Sequence, residues 1–133
     1  MKQFLISIHA VTLFFLITTF AVSQNAVFSP TTQDWEHRLE HTEEWKKGLP
    51  DTTKELRRLL ENNGWETRTK FFLKNSKDKL QYQLIAEGLS PYSKLYVNDI
   101  FCEEIKNSLH PKTIEITGLV KIGEINEIKI YFP

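Results

Sequence analysis

The pentapeptide His37-Arg38-Leu39-Glu40-His41 is where residue types and spacing most directly suggest catalysis. On a helix, two histidines four apart lie on one face and can share a zinc ion. The string also has the His-x-x-Glu-His form of inverted zinc proteases, whose glutamate is the general base. Its surroundings argue against an enzyme. Thr42-Glu43-Glu44 follows instead of an apolar helix, and nothing singles out a third ligand among downstream carboxylates such as Glu103, Glu104 and Glu115. Trp35, Leu39, Thr42, Trp45 and Leu49 recur at helical spacing, and His37 lies about 200° round such a helix from Trp35 at 3.6 residues per turn. Packing the tryptophans inward turns His37 and His41 to solvent. They are the candidate metal ligands, and no cofactor is expected.

A second group of residues suggests binding. Thr31 to Asp51 carries six acids and three bases, whereas Lys54 to Lys79 carries eight bases and four acids. Lys70, Phe72 and Lys74 alternate along one side of an extended stretch, with Lys77 just beyond it. An aromatic ring among lysines suits an anionic ligand, a glycan or a protein edge; equally, lysines guard strand edges against pairing. Tyr96 joins this set, since a tyrosine on an outer face offers both a ring and a hydroxyl. Trp35, Trp45, Trp65, Phe71 and Phe101 fall on apolar stripes and are expected in the core.

The elements that must position these residues divide at Trp65. Thr31 or Thr32 caps a first helix ended by Gly48-Leu49-Pro50, and Thr52-Thr53-Lys54-Glu55 has the form of a capping box for a second, ended by Asn62-Asn63-Gly64. From Trp65 the period drops to two. Trp65, Thr67, Thr69, Phe71 and Leu73 share one face, and Leu80, Tyr82, Leu84 and Ala86 continue it in a second strand joined through Asn75 to Asp78. Lys94 to Asn98 is a third strand. Asn98 or Asp99 then caps a helix running to His110, with Cys102, Ile105 and Leu109 facing inward. The closing stretch, Thr113 to Phe132, reads as a hairpin with a three-residue loop at Gly123-Glu124-Ile125, which sets Val120 opposite Ile128.

The expected class is therefore α+β. An N-terminal helical pair (31–64) precedes β-β-β-α-β-β (65–133), forming either an open five-stranded antiparallel sheet or an OB-like barrel with a helix between strands 3 and 4. The barrel predicts that the first of these strands pairs with both the second and the fourth.

Residues 1–23 form a leader. Met1-Lys2 precedes an apolar run from Phe4 to Val22, and Ala21-Val22-Ser23 offers small residues for cleavage before Gln24. An uncleaved leader would anchor the chain in a membrane. Residues 24–30 are a loose lead-in to a single domain, 31–133. Lys2 is the leader's sole Lys, Arg, Asp or Glu, so the mature chain keeps 16 of 17 basic and all 17 acidic residues, a net charge of −1. That balance, outside the cytoplasm, excludes nucleic acid as an expected partner. The single cysteine, Cys102, permits no internal disulfide. The sequence contains no CxxC, no N-x-S/T and no identifiable Ser-His-Asp arrangement. Together these features point to a small exported (periplasmic or secreted) non-catalytic binding or inhibitory module. A metal-dependent enzyme at His37, Glu40 and His41, or a self-associating envelope protein, is the alternative.

Overall fold

The computed structural model describes residues 2–9, 27–49, 54, 64–75, 80–107 and 109–133. Their elements are ten strands and one 3-10 turn (Thr32–Asp34): β1 (Lys2–His9), β2 (Val27–Phe28), β3 (Trp35–Leu39), β4 (Lys46–Lys47), β5 (Trp65–Phe72), β6 (Leu80–Glu87), β7 (Lys94–Val97), β8 (Ile100–Glu104), β9 (Lys112–Glu115) and β10 (Ile125–Phe132). They form a six-stranded sheet of order β4-β3-β5-β10-β7-β8 and a four-stranded sheet of order β2-β1-β6-β9. Trp35, Phe71, Leu95, Val97, Ile128 and Ile130 from the first sheet share one core with Tyr82, Leu84, Ala86 and Ile114 from the second. Two sheets burying alternate residues against each other make a β-sandwich.

The α+β expectation is therefore overturned, the first and third helices each for a local reason. Thr31 does cap, but it caps only the 3-10 turn: its backbone N–H and its hydroxyl donate to Asp34 Oδ2 at 2.7 and 3.0 Å. The chain then becomes extended at Trp35. Trp35, His37 and Leu39 alternate with Glu36 and Arg38, so a period of two coexisted with the helical spacing. Pairing of Trp35–Leu39 with Thr69–Trp65 of β5 selects the strand. The third helix fails at its proposed cap. Asn98 and Asp99 have φ of 49° and 62°, and Val97 pairs with Ile100 across them. That is a two-residue hairpin turn with both central residues left-handed, which Asn and Asp tolerate better than most. The second expected helix lies, except for Lys54, outside the described residues.

The pairing expected after Trp65 is also corrected. The alternating faces are there: Thr67, Thr69 and Phe71 are buried on β5, and Tyr82, Leu84 and Ala86 on β6. But β5 pairs with β3 and β10, while β6 pairs with β1 and β9. The closing stretch likewise forms no hairpin. β9 joins the four-stranded sheet, and β10 runs between β5 and β7 at the centre of the other. Of the residues expected to face inward there, Ile114, Ile116, Ile128 and Ile130 are buried in the shared core, Val120 and Phe132 are half-buried, and Ile122 is exposed.

β1 occupies a position that the leader reading leaves empty. It runs parallel to β6 from Lys2↔Leu80 to His9↔Glu87 and is the strand against which β2 pairs.

Candidate functional site

The outer face of the six-stranded sheet gathers most of the polar and aromatic side chains with chemical potential. Strand registers align them into rows. One row runs Lys47, Glu36, Arg68, Lys129, Tyr96 and Phe101, one residue from each strand in order. The next runs Arg38, Glu66, Tyr131 and Lys94. Directly opposed residues on neighbouring strands have Cβ atoms about 4.5–5.5 Å apart, so neighbours in each row lie within reach of one another.

Opposite charges meet along these rows, although Arg68 and Lys129 are directly opposed cations. Arg38 Nε lies 2.7 Å from Glu66 Oε2, and Arg68 Nε lies 2.7 Å from Glu36 Oε2, with Glu127 Oε2 3.7 Å from Arg68 Nη1. Trp45 packs its ring on both guanidinium groups, 4.3 Å from that of Arg38 and 4.0 Å from that of Arg68. Guanidinium groups stack favourably on an indole face. At the far end, Lys129 Nζ is 2.8 Å from Asp99 Oδ1 and 5.3 Å from the Tyr96 ring, which meets Phe101 edge-on at 5.8 Å. The hydrogen bond from Lys129, reinforced by its charge, holds the Asp99 carboxyl below its ordinary value. Tyr131 donates its phenolic proton to Glu40 Oε2 at 3.0 Å. Burial, then that hydrogen bond, raises the Tyr131 phenol.

The residues expected to bind are partly brought together. Lys70 and Phe72 project from the outer side of β5, and Lys74 is exposed just beyond it. Phe72, 58% exposed, pairs with Ile125, 67% exposed, leaving a small apolar patch at one end of the face. Tyr96 lies across β10 from them on the same face. Lys77 lies outside the described residues.

The histidines are not brought together as the helix required. His37 is buried on the inner side of β3, where Nδ1 donates to the Gly48 carbonyl at 2.7 Å. His41 sits in a turn at φ 64°, its side chain 88% exposed. Among the described residues no three His, Cys, Asp or Glu side chains are grouped to hold a metal ion. Of the aromatics assigned to the core, Trp35 and Phe71 are buried and Trp65 stacks on Phe132 at 4.2 Å, but Phe101 is 53% exposed and Trp45 lies on the outer face. Trp45, Phe101, Asp99, Arg68 and Lys129 were missed as site residues. For Phe101 and Asp99 the overlooked signal was Asn-Asp between two alternating segments.

Residues 27–133 match the family described as glycosyl hydrolase 2 galactose-binding domain-like. This chain belongs to that family. No match was found among curated proteins. The family's fold recurs in solved structures. A β-D-glucuronidase from Dictyoglomus thermophilum superposes with a TM-score of 0.61 at 23% identity, over 73% of this chain and 18% of that one. A β-D-mannosidase from the same organism gives 0.58 at 21% identity, over 74% and 14%. A glycosyl hydrolase family 2 member from Bacteroides cellulosilyticus DSM 14838 gives 0.57 at 14%, over 75% and 16%. The chain thus spans less than a fifth of the length of these structures. Membership in a glycosyl hydrolase 2 domain family replaces the expectation of an independent binding or inhibitory module, and equally the readings as a zinc-dependent enzyme or an envelope protein.

Proposed function

We propose that this chain is the non-catalytic domain of an exported family 2 glycosidase and that it holds saccharide against the outer face of its six-stranded sheet. The observation that carries this reading is the row Glu36, Arg68, Lys129, Tyr96 and Phe101, which offers a carboxylate, two cations and two rings side by side. Sugars present hydroxyl groups to charged hydrogen-bonding partners and an apolar C–H surface to aromatic rings, so a polar and aromatic strip suits them. Affinity electrophoresis of the chain through gels containing galactomannan or xyloglucan tests this. Retarded migration that is lost in Tyr96→Ala supports the reading, and unretarded migration in every gel overturns it.

Export rests on the leader at residues 1–23, all of which lie outside the stretch that matches the family. Amino-terminal sequencing of the protein recovered from the producing cells tests it. A start at Gln24 supports cleavage, and a start at Met1 in the cytosolic fraction overturns export.

A further inference from the structure

We infer that Phe101, Asp99 and Lys129 form a subsite for one neutral pyranose ring, with Phe101 under the sugar and the ion pair gripping two adjacent hydroxyl groups. This inference rests on the saccharide reading above. Three features of the geometry support it.

The aromatic surface is open: Phe101 lies on the edge strand β8, 53% exposed, and is held edge-on against Tyr96. The ion pair is fixed before any ligand arrives. Asp99 sits in the Asn98-Asp99 turn, and Asn98 clamps that turn through Nδ2 to Leu119 O and Asn126 Oδ1, each at 2.8 Å, and through Oδ1 to the Glu127 N–H at 2.9 Å. Lys129 is aimed by Asp99 and by the Tyr96 ring beneath it. A carboxylate accepts from one sugar hydroxyl while an ammonium donates to its neighbour, and preorganised partners bind without an ordering cost.

The third feature selects neutral sugars. Lys129 already faces Asp99, and Arg68 faces Glu36 and Glu127, so the two cations nearest the subsite are charge-compensated. Asp99, with a side chain 77% exposed, presents its negative charge at the rim. An anionic sugar gains no unpaired cation here and meets that carboxylate.

Amide-resolved NMR titration of the chain with the methyl pyranosides of galactose, glucose and mannose, and with glucuronate, tests the proposal. We expect saturable shifts centred on Asp99, Phe101 and Lys129 with at least one neutral pyranoside. The dissociation constant should be on the order of 1 mM or weaker, because one ring makes few contacts. Phe101→Ala and Asp99→Asn should each weaken binding at least about tenfold while the remaining spectrum stays folded. Shifts confined to the Trp45 and Arg38 end overturn the subsite and leave the saccharide reading standing. Tighter binding of glucuronate than of any neutral pyranoside overturns the ligand class. Absence of shifts with every sugar, together with unretarded migration in polysaccharide gels, overturns both.

Discussion

Asn126 is fully buried, and its amide is fully used. Its Oδ1 accepts from the Lys121 N–H at 2.7 Å and from Asn98 Nδ2 at 2.8 Å; its Nδ2 donates to Lys121 O at 2.8 Å and Glu124 O at 3.1 Å. The side chain therefore joins the crossover between β9 and β10 to the β7–β8 turn. Asn126→Ala strands several buried partners, and each stranded group carries a desolvation penalty, so stability should fall by on the order of 3 kcal/mol in chemical denaturation. A fall below about 1 kcal/mol would show that the loop re-pairs with water. Gly64 is a second single-residue constraint. Its φ is +105°, and a Cβ there would lie 2.5 Å from Glu40 Oε2 and 2.8 Å from the Tyr131 hydroxyl. Gly64→Ala should break the Tyr131–Glu40 hydrogen bond. Because burial and Glu40 raise the Tyr131 phenol, its folded-state value exceeds its unfolded one. Its contribution is complete below the unfolded value and is lost as pH rises through the folded one. Ultraviolet titration should show Tyr131 ionising above a free tyrosine in the wild type and closer to it in Gly64→Ala. Asp99 has the opposite sign. Its carboxyl is held low by Lys129, so the pair contributes above the unfolded carboxylate range and is lost as pH falls through the lower folded value.

At the scale of elements, the β7–β8 hairpin separates what a turn needs from what a side chain adds. Asp99 supplies a left-handed residue and one exposed ion pair, and glycine adopts that conformation freely. Asp99→Gly should therefore change stability by less than about 1 kcal/mol in thermal unfolding, since exposed ion pairs contribute little. Asn98→Ala should cost more, because Asn98 makes three hydrogen bonds through its side chain. The strands themselves were partly legible. Thr67, Thr69 and Phe71 alternate strictly, and the structure buries those three. β3 was hidden because Trp35 and Leu39 satisfy helical spacing as well as alternation. Its extended form depends on β5, which supplies partners for both edges of the ambiguity: Thr67 and Thr69 donate from their hydroxyls to the carbonyls of Glu36 at 2.8 Å and Asp34 at 2.9 Å. β8 was hidden because Asn-Asp serves equally as a helix cap or a hairpin turn. The candidate site shared that fate, since a helix would have turned Phe101 inward.

At the scale of the molecule, a single core joins both sheets, with Trp35 at 2% exposure among its largest members. Trp35→Ala should cost about 3–5 kcal/mol, a large share of the roughly 5–15 kcal/mol that holds a typical domain. Circular dichroism under denaturant would measure it. The four-stranded sheet carries the other consequence. Cleavage after Ser23 removes β1, leaving β6 with β9 and depriving β2 of its partner. Hydrogen exchange of the cleaved chain should then accelerate at β6 amides while the β5 and β10 amides, flanked on both sides, stay protected.

The sequence by itself determined the period of β5 and β6, and the inward faces of Phe71, Tyr82, Leu84, Ala86, Ile114, Ile116, Ile128 and Ile130. It determined these because a two-residue period leaves each apolar side chain one choice of face. It also marked Phe72 and Tyr96 as outward rings. Tertiary structure alone decided which strands pair. Ile114 and Ile128 bury equally well as neighbours in one hairpin or as opposite walls of a sandwich, so alternation carries no information about the sheet to which a strand belongs. The site is a product of that same choice. Arg68, Lys129, Tyr96 and Phe101 come from four strands whose adjacency exists only once β10 has entered between β5 and β7.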